Sequence, residues 1–201
     1  MHDDPTTSSL NCGQAADPEG AEPAWVEHVL HFWFGEVSER HWWQQDDGVD
    51  AHIRQHFLPL HERLAAQSAN SFTTPRMLLA AAIVLDQFSR HIFRRTPRAY
   101  ATDPAARAIA RSAIEQGIDS IFNADERQFL YLPFQHSEDA GDQQLSVHLF
   151  QKLGNPEWMR FAVEHKEIID RYGRFPHRNC VLGRQSTAEE AELLKKKASW
   201  F

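Results

Sequence analysis

Thr74-Pro75-Arg76-Met77-Leu78-Leu79-Ala80-Ala81-Ala82-Ile83-Val84-Leu85-Asp86-Gln87-Phe88-Ser89-Arg90 is the stretch from which the fold can be read. Threonine followed by proline is a helix start: the hydroxyl accepts from an orphan amide, and proline takes a first-turn position whose N–H has no partner anyway. The run from Met77 to Phe88 is apolar around most of its circumference, which marks the central, most buried helix, and its strongly apolar part is Met77–Leu85. It is far shorter than the roughly 20 residues needed to cross a bilayer, and no longer apolar run exists, so no membrane span is expected. An aspartate directly after such a run should be at least partly buried and should need a cation. Arg90, one turn on, is the nearest.

The same helical punctuation repeats on either side. Upstream, Val26, Val29, Leu30 and Trp33 follow Pro23 at helical spacing, with Gly35 as a stop. After Trp42-Trp43, the residues Val49, Ile53, Phe57, Leu60 and Leu64 mark a second helix, which Pro59 should kink or divide. Downstream, Asp103-Pro104 opens a helix that stops at Gly117, and Asn123 with Glu126 has capping-box spacing. Leu145, Leu149 and Leu153 line a helix ending at Gly154. Asn155-Pro156 starts another, with Trp158, Phe161, His165, Ile168 and Tyr172 inward and Gly173 at its end. Ser186 or Thr187 caps the last helix, with Glu189 or Glu190 in box position. No run of alternating β-branched residues demands a sheet. The chain is expected to be all-α, a single domain of about eight or nine helices over residues 22–201, with short loops making antiparallel pairs. Residues 1–21, polar and with Leu10 as their one large apolar residue, read as a disordered tail without a secretory core.

Composition bounds the function. The 201 residues carry 21 Lys and Arg against 28 Asp and Glu, a net charge of −7, which disfavours general binding to a phosphate backbone. Cys12 and Cys180 lie in unlike contexts, so a disulfide framework is not expected and a reducing cytoplasm fits. Histidine is abundant, and eight of the 16 arginines fall within Arg90–Arg98 and Arg171–Arg184.

Polar residues concentrate in three segments at helix ends. The first is Asp86, Gln87 and Arg90, followed by Arg94, Arg95 and Arg98: either an internal ion pair with arginines over helix carbonyls, or an anion site matched to guanidinium forks. The second is His136-Ser137-Glu138-Asp139, where Ser137 reads as an N-cap and the two carboxylates complement a helix N-terminus, leaving His136 to hold a carboxylate or a ligand. The third supplies Arg174, His177, Arg178, Asn179 and Arg184 from one loop. These could serve a ligand, or tie the loop to Asp86, Glu138 and Asp139 in a salt-bridge network. His136, His165 and His177 lack the spacing of a zinc site, so no metal is expected. No glycine-rich phosphate loop or nucleophile elbow occurs, and no cofactor is expected.

Four stretches together resemble one bacterial family, the domain of unknown function 924: Val29-Leu30-His31-Phe32-Trp33-Phe34-Gly35, Leu85-Asp86-Gln87-Phe88-Ser89-Arg90, Tyr131-Leu132-Pro133-Phe134-Gln135-His136-Ser137-Glu138-Asp139, and Gly173-Arg174-Phe175-Pro176-His177-Arg178-Asn179 with Leu182-Gly183-Arg184-Gln185-Ser186-Thr187. The resemblance spans about residues 24–194. It implies a tetratricopeptide-like, right-handed helical array and no established activity, although no clean 34-residue repeat is visible here. It also marks Asp86, Gln87, Arg90, His136, Ser137, Glu138, Arg174, His177, Arg178, Asn179 and Arg184 as signature polar positions. Ser89 and Gln135 depart from the common proline and glutamate. Two functions follow as expectations. One is a pocket for a small anionic ligand, in which Asp86 and Glu138 orient Arg174, Arg178 and His177 and any proton transfer falls to His136 or His177. The other is an interaction module that receives a peptide on an aromatic concave face.

Overall fold

The computed structural model describes residues 22–196; the expected N-terminal tail, with Cys12, and residues 197–201 lie outside them. The described residues form helices and no strand, with one large apolar core and a small separate cluster of Ile168, Ile169 and Phe175. Helix α1 is Ala24–His31, α2 Glu39–Trp43, α3 Asp47–Ala65, α4 Pro75–Ile83, α5 Ser89–Ile92, α6 Asp103–Glu115, α7 Ala124–Gln135, α8 Ala140–Leu153, α9 Pro156–Tyr172 and α10 Ala188–Lys196.

Most boundaries lie where capping chemistry puts them. Thr74 Oγ1 accepts from Met77 N at 3.2 Å, and Asn155 Oδ1 accepts from Glu157 N and Trp158 N. Asn123 and Glu126 close both bonds of their box, at 3.0 and 2.9 Å. Of the alternatives at the last helix, Thr187 and Glu190 form the box. Gly117, Gly154 and Gly173 all end their elements at positive φ, 67–73°, which only glycine adopts without strain.

Four local expectations are corrected. Gly35 does not stop α1: the chain continues through a wide π-helical turn, Phe32–Glu36, and ends when Val37 N bonds Phe32 O. Pro59 does not divide α3, because it sits on the exposed face, where water can solvate the carbonyl it displaces. Ser137 is not the cap of α8. Asp139 is, accepting from Asp142 N, while Ser137 donates to Asp142. Phe161 is 39% exposed rather than inward.

The central segment is buried without interruption from Leu78 to Ser89. Between α4 and α5 it widens into a second π-helical turn, Val84–Phe88. Such turns re-aim side chains within a continuous rod and are frequent at functional sites. The two wide turns pack on each other: Phe88 meets the edges of Phe32 and Trp33, with centroids 6.0 and 5.5 Å apart. Around this contact α4 packs against α1, α6 and α7, while α8 and α9 pack on α7 and on each other. No described helix is long and apolar enough to cross a membrane.

Candidate functional site

The wide turn of the central rod delivers Asp86 into the interior with no exposed surface at all. Three donors meet its carboxylate: Gln87 Nε2 at 2.6 Å, Arg90 Nη1 at 3.1 Å and His136 Nδ1 at 2.9 Å. Burial alone would push the Asp86 carboxyl up. The charge of Arg90 and the contacts from His136 and Gln87 outweigh it and hold the group below the usual carboxylate range. Burial, opposed by Asp86, pushes His136 down, so its ring is neutral near pH 7. With Nδ1 donating to Asp86, Nε2 is left as the acceptor.

Arg90 then forks onto Asp103, Nη1 to Oδ1 at 2.9 Å and Nη2 to Oδ2 at 3.2 Å. Asp103 also faces Arg178, at a longer 3.5 Å. Arg178 Nη2 donates to the His136 carbonyl at 2.9 Å, and its guanidinium lies between the rings of Tyr100 and Phe175, 4.6 and 4.7 Å from their centroids. Arg178 is 6% exposed, and its Nε is buried without an acceptor among the described residues. Burial and the neighbouring Arg90 together push it down to about 10, against the pull of Asp103.

The rest of the late loop is fastened elsewhere. Arg184 forks onto Glu138 at 2.7 and 3.0 Å and also donates to the Phe175 carbonyl, while Phe175 N donates to Glu138. Arg174 forks onto Glu190 of α10, and Asn179 donates to Ser186 and Glu190. The expected orientation of Arg174 by Asp86 or Glu138 is thus replaced by a carboxylate from the last helix. Nor do the arginines after Arg90 gather into one anion site: Arg94 binds Asp50 beside His91, and Arg98 pairs with Glu62 at the surface.

A cavity of about 410 Å³ opens beside this cluster. Of the expected residues, His136, Ser137, Glu138 and Arg178 line it, while Asp86, Gln87 and Arg90 form the layer behind His136. Asp139, also expected, lines it too, together with Tyr100, Asp103 and Arg107. Asp103 and Tyr100 escaped the sequence reading. Asp103 carries a helix-start signal that accounts for it locally, and nothing linear announces that two arginines 13 and 75 residues away will share it. A second cavity, about 600 Å³, lies between α7 and α9, and His136 is in the wall of both. Among the described residues no group of three or more His, Cys, Asp or Glu is arranged to hold a metal ion.

Burial also dictates an acid response. His61 and His177 are pushed down to about 4 and about 2, in both cases chiefly by burial. The unfolded chain binds their protons near pH 6.5 and the folded chain does not. Their contribution is therefore complete above pH 6.5 and is lost as pH falls toward the folded values, by up to about 1.4 kcal/mol per histidine per pH unit. Urea midpoints should decline already between pH 6.5 and 5, above the range where carboxylates titrate. In the double variant His61→Gln, His177→Gln that decline should flatten; an equally steep decline there would show that other groups set it.

The pattern of a family described as bacterial protein of unknown function (DUF924) matches residues 29–198. A solved structure of a protein of unknown function, ATU0120 from Agrobacterium tumefaciens, is similar at 37% identity with a TM-score of 0.82, covering 86% of this chain and 98% of that one. No curated protein matches the chain.

Proposed function

This chain belongs to the DUF924 family of bacterial proteins of unknown function, and we propose that it binds a small anionic ligand in the cavity walled by Arg178 and His136. The observation that carries this reading is Arg178 itself. It is the least well compensated cation of the cluster: Asp103 is committed to the Arg90 fork and reaches Arg178 only at 3.5 Å. An anion beside that guanidinium would supply the partner that burial makes it need. Of the three carboxylates in the same wall, Glu138 and Asp103 are each held by an arginine and Asp139 accepts from the Asp142 amide, which reduces their repulsion of an incoming anion. Proton transfer, if the ligand carries an acidic proton, falls to His136 Nε2, which burial keeps free of a proton while Nδ1–H is held by Asp86. His177, pushed down to about 2, is too weak a base.

The test is thermal unfolding at constant ionic strength with inorganic phosphate, malonate or succinate in place of chloride. An anion at 100 times its Kd adds about 2.7 kcal/mol, which for a chain of this size is a rise of roughly 5–10 °C. Arg178→Met should remove the rise and Arg178→Lys should keep part of it. An undiminished rise in Arg178→Met, or none with any of the anions, rejects the site.

A second reading, the tetratricopeptide-like interaction module, draws support from layering: α1, α4, α7 and α9 pack in succession, with α6 against α4 and α7, and α8 against α7 and α9. In that case the polar motifs are staples, and Arg178→Met changes stability with no response to anions in either protein.

A further inference from the structure

The larger cavity has a different chemistry. Its walls are aromatic, with Trp43 from α2, Phe150 from α8, and Trp158 and Phe161 from α9. Three large apolar side chains among the described residues are substantially exposed, and two of them, Trp43 and Phe161, stand at this cavity. Trp43 is held in place, lying flat on Phe129 at 5.7 Å with 6° between the planes. Apolar surface kept exposed around a concavity marks a ligand site more than a packing accident.

The polar atoms give the ligand its sign. Two buried side-chain atoms of this lining have no partner among the described residues, Gln128 Oε1 and Glu164 Oε2, and both are acceptors. Gln128 is 4% exposed, so its unmet oxygen is costly. The other Glu164 oxygen takes Arg160 Nη1 at 3.0 Å, and Arg160 lies over Phe161, 4.4 Å from its centroid. With Glu157 also lining the cavity, carboxylates outnumber the one guanidinium. Unpaired buried acceptors call for a ligand that brings donors. Carboxylate and aromatic faces together favour one that is positively charged.

We propose that the cavity between α7 and α9 binds a protonated primary amine on an apolar body, its N–H groups donating to Glu164 and Gln128 and its body against Trp158 and Phe161. The site shares the His136 wall with the anion cavity but stands on Glu164 and Gln128, so it does not rest on that reading.

Calorimetric titration of the full chain with 2-phenylethylammonium, 2-phenylethanol and 3-phenylpropionate tests it. The amine should bind, the isosteric alcohol about tenfold more weakly, and the carboxylate more weakly still. Glu164→Gln should lower amine affinity by about tenfold and leave alcohol affinity unchanged. Gln128→Met should weaken amine binding while raising the Tm, since it deletes an unmet buried acceptor. Binding of the alcohol or carboxylate as tight as that of the amine, undiminished binding in Glu164→Gln, or no binding of the amine would each overturn the proposal. The phosphate titrations report on the other cavity alone, so the two proposals fail separately.

Discussion

Asp86→Ala is expected to destabilise the protein by about 3–5 kcal/mol, which is a large share of the 5–15 kcal/mol typical of a domain. The cost is not the loss of one attractive pair. Asp86 is wholly buried and serves three donors, so its removal leaves Gln87 Nε2 and His136 Nδ1 with unmade bonds and a guanidinium inside the protein with one carboxylate fewer. Arg90 retains its fork onto Asp103, which keeps the change from being larger. Asp86→Asn, which preserves shape and one acceptor, should cost less. The sign with pH is fixed by the direction of the shift: the folded carboxyl lies below the unfolded value of 3.8, so its contribution is complete above that value and fades as acid approaches the folded one. Urea denaturation should therefore show a wide gap between wild type and Asp86→Ala at pH 7 that narrows below pH 4. A gap under about 1 kcal/mol at pH 7 would mean that the cluster relaxes or admits water once the carboxylate is gone.

Trp33→Ala should cost a similar 3–5 kcal/mol by a different route. Trp33 has no exposed surface, and its ring meets those of Trp42, Phe88, His91 and Phe129 at centroid distances of 5.3–6.3 Å. Truncation opens a cavity between the two wide turns, and the rigid neighbours can collapse into it only partly. Trp33 Nε1 is buried without an acceptor among the described residues, so Trp33→Phe removes an unmet donor together with some volume. Its cost should be well under that of alanine, near about 1.5 kcal/mol. Thermal unfolding separates the two. Because Phe88 ends the turn that carries Asp86, Trp33→Ala should also reduce any anion response without touching a residue of that cavity. Retention of the full response would show that the turn holds its shape without this contact.

The legible features and the missed ones differ in kind. Thr74, Asn123 and Asn155 act through amides two or three residues away, and the burial of Leu78–Ile83 follows from apolar residues on every side of one helix, so local sequence suffices. Arg90 was assignable to Asp86 because the two are one turn apart. Glu190, by contrast, had a complete local role as the box partner of Thr187. Its further role of holding Arg174 and Asn179 became visible only when α10 lay against the late loop. Asp103 is the same case: its position at a helix start gave no hint that Arg90 and Arg178 would divide it.

By itself the sequence determined the helical class, the order of the elements, most of their caps, the family and the burial of the central rod, because each depends on bonds and periodicities within a few residues. The tertiary structure decided which carboxylate each arginine takes, that His136 stands between two cavities, and that the one between α7 and α9 offers acceptors where the late loop had suggested donors. Those outcomes depend on distances between segments up to 75 residues apart. Only the packing of the helices around the central rod sets such distances.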